Sequence, residues 1–176
     1  MPDSSALITK ATRFAADKHR GQTRKDADNT PYINHPVAVA HLLSDYAGIE
    51  DVHVIVAALL HDTVEDTDAT VDEIEQEFGR EVRDIVIEVT DDKSLPSAKR
   101  KQLQIEHAAR LSQAARLVKL ADKICNLQDI LAHPPVNWSL DRKREYFDWA
   151  KAVIDQLRGT NDRLETLFDR TYLQKP

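Results

Sequence analysis

Apolar positions recur at three- and four-residue spacings along almost the whole chain, and one stretch departs from this by being apolar on every side. From Asp51 the residues read DVHVIVAALL, where Val52, Val54, Ile55, Val56, Ala57, Ala58, Leu59 and Leu60 leave almost no polar face. Such a run predicts a helix enclosed by other helices. Ahead of it, Leu7, Ile8, Ala11, Phe14 and Ala15 mark a helix capped by Ser4 or Ser5 and running to about His19, with Gly21 as its stop. His35 at a cap and Pro36 as first helical residue open a second helix, whose apolar set is Val37, Val39, Ala40, Leu42, Leu43 and Tyr46 and whose stop is Gly48. Thr70 to Glu73 form a capping box for a helix that Gly79 closes, and Val82, Ile85, Val86 and Val89 resume the helical spacing. Pro96 starts a helix fading near Ala108, and its Lys99, Arg100 and Lys101 read as a solvated face. Ser112 caps a core-facing segment with Leu117, Leu120, Ile124, Leu127 and Leu131. After Pro134-Pro135, Ser139 caps a helix with Tyr146, Trp149, Val153 and Leu157 buried, and Asn161 begins a last one with Leu164, Leu167 and Phe168. No alternating strand pattern competes, so the predicted class is all-α, with at most a short β-hairpin in the loop before His35.

A chain of 176 residues, 41% hydrophobic and 31% charged with four glycines, suits one helix-rich domain spanning 1–176. The single Cys125 excludes an internal disulfide. No apolar run reaches the roughly 18 residues of a membrane span, and the amino terminus has no apolar signal-like core, so a cytoplasmic location is expected. A net charge of -6 argues against nonspecific attachment to nucleic acid or an anionic membrane. An anionic ligand would then need a local basic cluster. Arg24 and Lys25 stand side by side in the polar loop QTRKDADNTP, where charge alone would equally describe two solvated cations.

The chemistry gathers directly after the apolar run, at HDTVED. If the helix continues, at about 100° per residue His61, Asp62, Glu65 and Asp66 share one sector. Three carboxylates in a dry volume raise one another's pKa values unless protons or a cation compensate them, and a divalent metal is the simplest compensation. The carbonyl end of a helix also favours a cation. His35 and Asp122 can complete a set of two imidazoles and two carboxylates with His61 and Asp62. Such a mixed nitrogen and oxygen set suits an octahedral Mn²⁺, Fe²⁺ or similar ion with positions open to water, better than a closed zinc site. Asp122 shares its helical sector with Cys125, Asn126 and Asp129, and Arg142 shares one with Tyr146.

A distant His, an adjacent His-Asp and a later Asp resemble the signature of the HD-domain metal phosphohydrolases. RKDADNTPYINHP, HDTVEDT, EVTDDKSLP and VKLADKICNL further resemble the successive motifs of the RelA/SpoT hydrolase domain, in its stand-alone small alarmone hydrolase form. The resemblance implies a helical HD bundle that removes the 3′-pyrophosphate of guanosine tetra- or pentaphosphate, giving GDP or GTP and pyrophosphate, with one Mn²⁺ per chain. By matching position it implies that His35, His61, Asp62 and Asp122 hold the metal and that Glu65 and Asp66 orient and deprotonate the attacking water. It also implies substrate contacts for Arg24, Lys25, Asn126, Tyr146 and Arg142. Asn29 stands where the family loop often has glycine, and Asn tolerates left-handed backbone better than most residues. Another nucleotide phosphohydrolase activity, such as removal of the 2′-phosphate of NADPH, is the alternative. A nucleotide-binding module without catalysis is a further one, although all six residues of its would-be active centre are present. The physiological metal and the oligomeric state stay open at this stage.

Overall fold

The computed structural model describes residues 4–176. Its α-helices, in chain order, are α1 (Ser4–Lys18), α2 (Asn34–His41), α3 (Val52–Leu60), α4 (Thr63–Asp66), α5 (Val71–Phe78), α6 (Arg80–Val89), α7 (Ser97–Ala108), α8 (Gln113–Ala132), α9 (Leu140–Ile154) and α10 (Asp162–Tyr172). Among the described residues there is no strand. The expected hairpin is a single antiparallel bridge between Thr23 and Pro31, in which Arg24 N–H donates to Thr30 and Tyr32 N–H to Gln22. Asn29, at the turn of that loop, has φ of 51° and is the one described non-glycine residue with positive φ.

α3 lies at the centre, with Val54 to Leu60 all buried. α1, α2, α6 and α8 pack around it, which is why this helix can be apolar on every side. The predicted caps form where their side chains can accept an orphan N–H: Thr70 from Glu73, Ser112 from Ala115, Ser139 from Arg142 and Asn161 from Leu164. Ser4 and Ser5 instead lie inside the first turn of α1.

Four departures from the expected pattern matter. α2 begins at Asn34, so His35 sits within the first turn rather than at the cap. Beyond His41 the helix widens into a π turn over Leu42–Tyr46, ended by Gly48 at φ of 69° with Ile49 N–H bonded back to Leu43. Val37 and Tyr46, counted with the apolar face, are about two-fifths exposed at 41% and 39%. Lastly, α3 ends at Leu60: His61 and Asp62 form a turn, and α4 restarts at Thr63.

Candidate active site

His61 closes α3 and is buried. Its Nδ1 lies 2.7 Å from the Ala58 carbonyl, which can only accept, so Nδ1 carries a hydrogen. In the neutral ring Nε2 is then a bare lone pair. That Nε2 is buried without a hydrogen-bond partner and sits 3.1 Å from Asp62 Oδ2 and 3.6 Å from Asp122 Oδ1. His35, delivered by the first turn of α2, places Nε2 3.1 Å from Asp122 Oδ1 and 3.8 Å from Asp62 Oδ2. Donor atoms of His35, His61 and Asp62 all lie within 4.8 Å of one another. Asp122, from the middle of α8, adjoins this trio through Oδ1. An unpartnered imidazole nitrogen aimed at carboxylates is what a divalent cation requires, so the residues fit a metal.

Without a cation the same cluster holds protons. Burial disfavours the charged ring of His61, but Asp62 and Asp122 outweigh it and raise its pKa well above the ordinary value. Burial likewise works against the Asp122 carboxylate, and Lys123 with the two imidazoles holds its pKa well below the usual range. Lys123 is itself buried, donates to Asp122 Oδ2 at 3.0 Å and lies 4.6 Å from the centre of the Trp149 ring. Asn126, one turn along α8, donates to Asp122 Oδ1 at 2.7 Å. Tyr32 donates to Asp62 Oδ2 at 2.6 Å, has Asp66 Oδ2 at 3.3 Å and is stacked on the buried His19 ring.

The break after Leu60 separates the carboxylates expected in one sector. Glu65 turns to the loop after α6 and accepts the Asp91 N–H at 2.9 Å. Burial, then the nearby Asp62, Asp91 and Asp66, push its pKa up to about 7. Asp66 pairs with Lys93 and faces Tyr32. Both line a cleft of about 800 Å³ together with His35, Arg24, Lys25, Asn126, Tyr146 and Trp138. Arg24 is held by Asn126 Oδ1 and Asp129 Oδ2, each at 2.9 Å. Tyr146 is buried enough that its pKa is pushed up to about 12.

Arg142 is exposed and lies 4.5 Å over the ring of Trp138, a residue of the cleft lining, without itself being part of that lining, as is also true of His61, Asp62 and Asp122. Helical spacing put Arg142 with Tyr146, but Trp138 from the preceding loop packs 5.5 Å from Tyr146 and intervenes. Sequence reasoning missed Tyr32, Lys123, Trp138, Lys93 and Arg100. Lys123 directly follows Asp122, yet nothing in a LADK string says that the lysine is buried. Arg100, assigned to a solvated face, lines the cleft.

Comparison with known proteins agrees with this geometry. The HD domain family matches residues 11–148. The chain is 55% identical over 175 residues to the Xenopus tropicalis protein named guanosine-3′,5′-bis(diphosphate) 3′-pyrophosphohydrolase MESH1, covering 99% of this chain and 98% of that one. It is 53% identical to the human protein of the same name, with the same coverage. A solved structure described as "A metazoan ortholog of SpoT hydrolyzes ppGpp and plays a role in starvation responses" superposes with a TM-score of 0.94 at 49% identity, covering 99% of this chain and 97% of that one. With an HD-type cluster of two imidazoles and two carboxylates and near-complete overlap with these relatives, the chain belongs to the HD domain family and, within it, to the group of metazoan SpoT-like hydrolases.

Proposed function

We propose that the chain, acting as a single HD domain, hydrolyses guanosine 3′,5′-bis(diphosphate) to GDP and pyrophosphate, and the pentaphosphate to GTP and pyrophosphate. The full-length identity of 50–55% to several proteins named for this reaction carries the reading. The buried, unpartnered His61 Nε2 beside two carboxylates supports a metal requirement. His35, His61, Asp62 and Asp122 would hold the cation, Mn²⁺ by the ligand types. A divalent ion there supplies Lewis acidity, making water nucleophilic near neutral pH and offsetting charge on phosphate.

The chain's own groups account for the remaining demands. Asp62 is oriented by the Tyr32 hydroxyl and Asp122 by Lys123 and Asn126, so both carboxylates are fixed before substrate arrives. Glu65 and Asp66 line the cleft next to this cluster and take the proton of the attacking water. A carboxylate whose pKa is pushed up to about 7 is matched to proton transfer at neutral pH, which supports Glu65 as the base. Arg24 and Lys25, which line the same cleft, meet the polyphosphate, and Tyr146 with Asn126 contacts the nucleoside.

Incubation of Mn²⁺-loaded protein with guanosine tetraphosphate tests this: GDP and pyrophosphate should form in equal amounts, and Asp122→Ala should lose both the metal and the activity. Release of orthophosphate from NADPH at a higher rate than any turnover of the guanosine nucleotide would move the assignment to a 2′-phosphatase.

A further inference from the structure

Four Arg and Lys side chains line the cleft: Arg24, Lys25, Lys93 and Arg100. Two are already engaged by acids. Arg24 is bonded to Asp129 and Asn126, and Lys93 to Asp66. Lys25 is exposed on the loop side. Arg100 is different: it is partly buried, no acid of the described residues pairs with it, and its Nε is fully buried without a hydrogen-bond partner.

Its position is fixed by its helix. Arg100 lies between the cleft and a neighbouring cavity of about 220 Å³, whose walls include Asp91, Gln104 and Lys119. Gln104, one turn further along α7, donates to Asp91 Oδ2 at 2.6 Å, and the Asp91 N–H in turn holds Glu65. Trp149 of α9 donates to the Lys101 carbonyl at 3.0 Å and pins the same turn. The segment bearing Arg100 is thus tied to the loop that holds Glu65.

A guanidinium kept partly out of water with a donor unmet is unfavourable unless a ligand brings acceptors. Phosphate does so through the part of the guanidinium that lines the cleft, where its planar N–H donors can address phosphate oxygens. Resting on the functional reading above, we propose that Arg100 is a substrate-binding residue that takes oxygens of one of the nucleotide's two diphosphates. A bis(diphosphate) carries several negative charges into an acidic chain, and Lys25 and Arg100 are the lining Arg and Lys residues not already bound to an acid.

Arg100→Ala and Arg100→Lys, with Lys99→Ala as control, test the assignment in the Mn²⁺-loaded protein. Hydrogen bonds to a charged group of this kind correspond to about 10-fold to 100-fold in affinity. Arg100→Ala should therefore raise KM for guanosine tetraphosphate by that factor with a smaller change in kcat, Arg100→Lys should recover part of it, and Lys99→Ala, which removes an equal charge from the exposed side of α7, should change neither. GDP and pyrophosphate, titrated separately by calorimetry, carry the two diphosphates between them. Affinity for one of them should fall by the same factor in Arg100→Ala, identifying the diphosphate that Arg100 takes. This titration decides on Arg100 even if the wild-type protein fails to cleave the tetraphosphate, a result that would remove the functional reading alone. A folded Arg100→Ala protein with wild-type KM and wild-type affinity for both products overturns the inference, and Arg100→Gln serves if the alanine variant does not fold.

Discussion

Glu65 and Asp66 are neighbours in the chain and are held by different partners, one by a backbone N–H of the loop after α6, the other by Lys93 and Tyr32. Their removal should therefore leave the cation site intact. Glu65→Gln and Asp66→Asn should each bind Mn²⁺ at wild-type stoichiometry and turn over about 10²-fold to 10⁴-fold more slowly, as measured by metal analysis beside steady-state rates. Glu65 also makes a stability prediction. Its folded pKa of about 7 stands above the ordinary 4.5, so between those values the folded state holds a proton that the unfolded chain has lost. Stability from this residue is greatest below about pH 4.5 and is lost as pH rises through 7. In the metal-free protein Glu65→Gln should thus raise Tm at pH 8 and leave it nearly unchanged at pH 4.5. An equal shift at both values would show that the raised pKa is not what matters there. A bound cation pulls Glu65 down, so the acid limb of the rate profile should lie below 7.

At the level of elements, α8 contributes most. It carries Asp122, Lys123, Asn126 and Asp129 on consecutive turns, together with the buried Lys119 that donates to the Val89 carbonyl. Lys123 compensates Asp122 in the interior. Truncation to alanine should destabilise the metal-free protein by up to about 3–5 kcal/mol, because the buried Asp122 loses its lysine and keeps only His35, His61 and Asn126 as partners. The loss should be smaller with Mn²⁺ bound, because the cation takes over that compensation; urea unfolding with and without metal measures the difference. Helix positions and caps were legible because period and cap chemistry are local, as at Thr70, Ser112 and Asn161. The meeting of His35, His61 and Asp62 was legible because the residues stood in a recognisable order, and the Asn29 conformation followed from backbone preference. Three things were not legible. The break after Leu60 leaves a sequence, DTVED, that would continue a helix equally well. The burial of Lys123 and Arg100 depends on Trp149 and on the packing of α7 with α9, remote in the chain. The bond from Arg24 to Asn126 spans 102 residues, and no local pattern encodes such a pairing.

Across the whole molecule the cation would join α2, the turn between α3 and α4, and α8, three segments that already enclose the apolar centre. Binding only the folded state, it should stabilise by about 2.7 kcal/mol at a free concentration 100-fold above Kd. Tm should rise with Mn²⁺ and fall with chelator, and Asp122→Ala should abolish the response. A divalent cation held there would also displace a proton from the His61 site, where Asp62 and Asp122 raise the pKa. Calorimetry in buffers of different ionisation enthalpy should therefore find protons released on binding, and affinity should rise with pH. No described helix is long and apolar enough to cross a membrane. The most direct test of the account is hydrolysis of guanosine tetraphosphate by the Mn²⁺-loaded protein in ¹⁸O-labelled water. Attack at the 3′-linked phosphorus places the label in pyrophosphate and leaves GDP unlabelled. Label in the 3′-hydroxyl of GDP, or labelled orthophosphate in place of pyrophosphate, would contradict it.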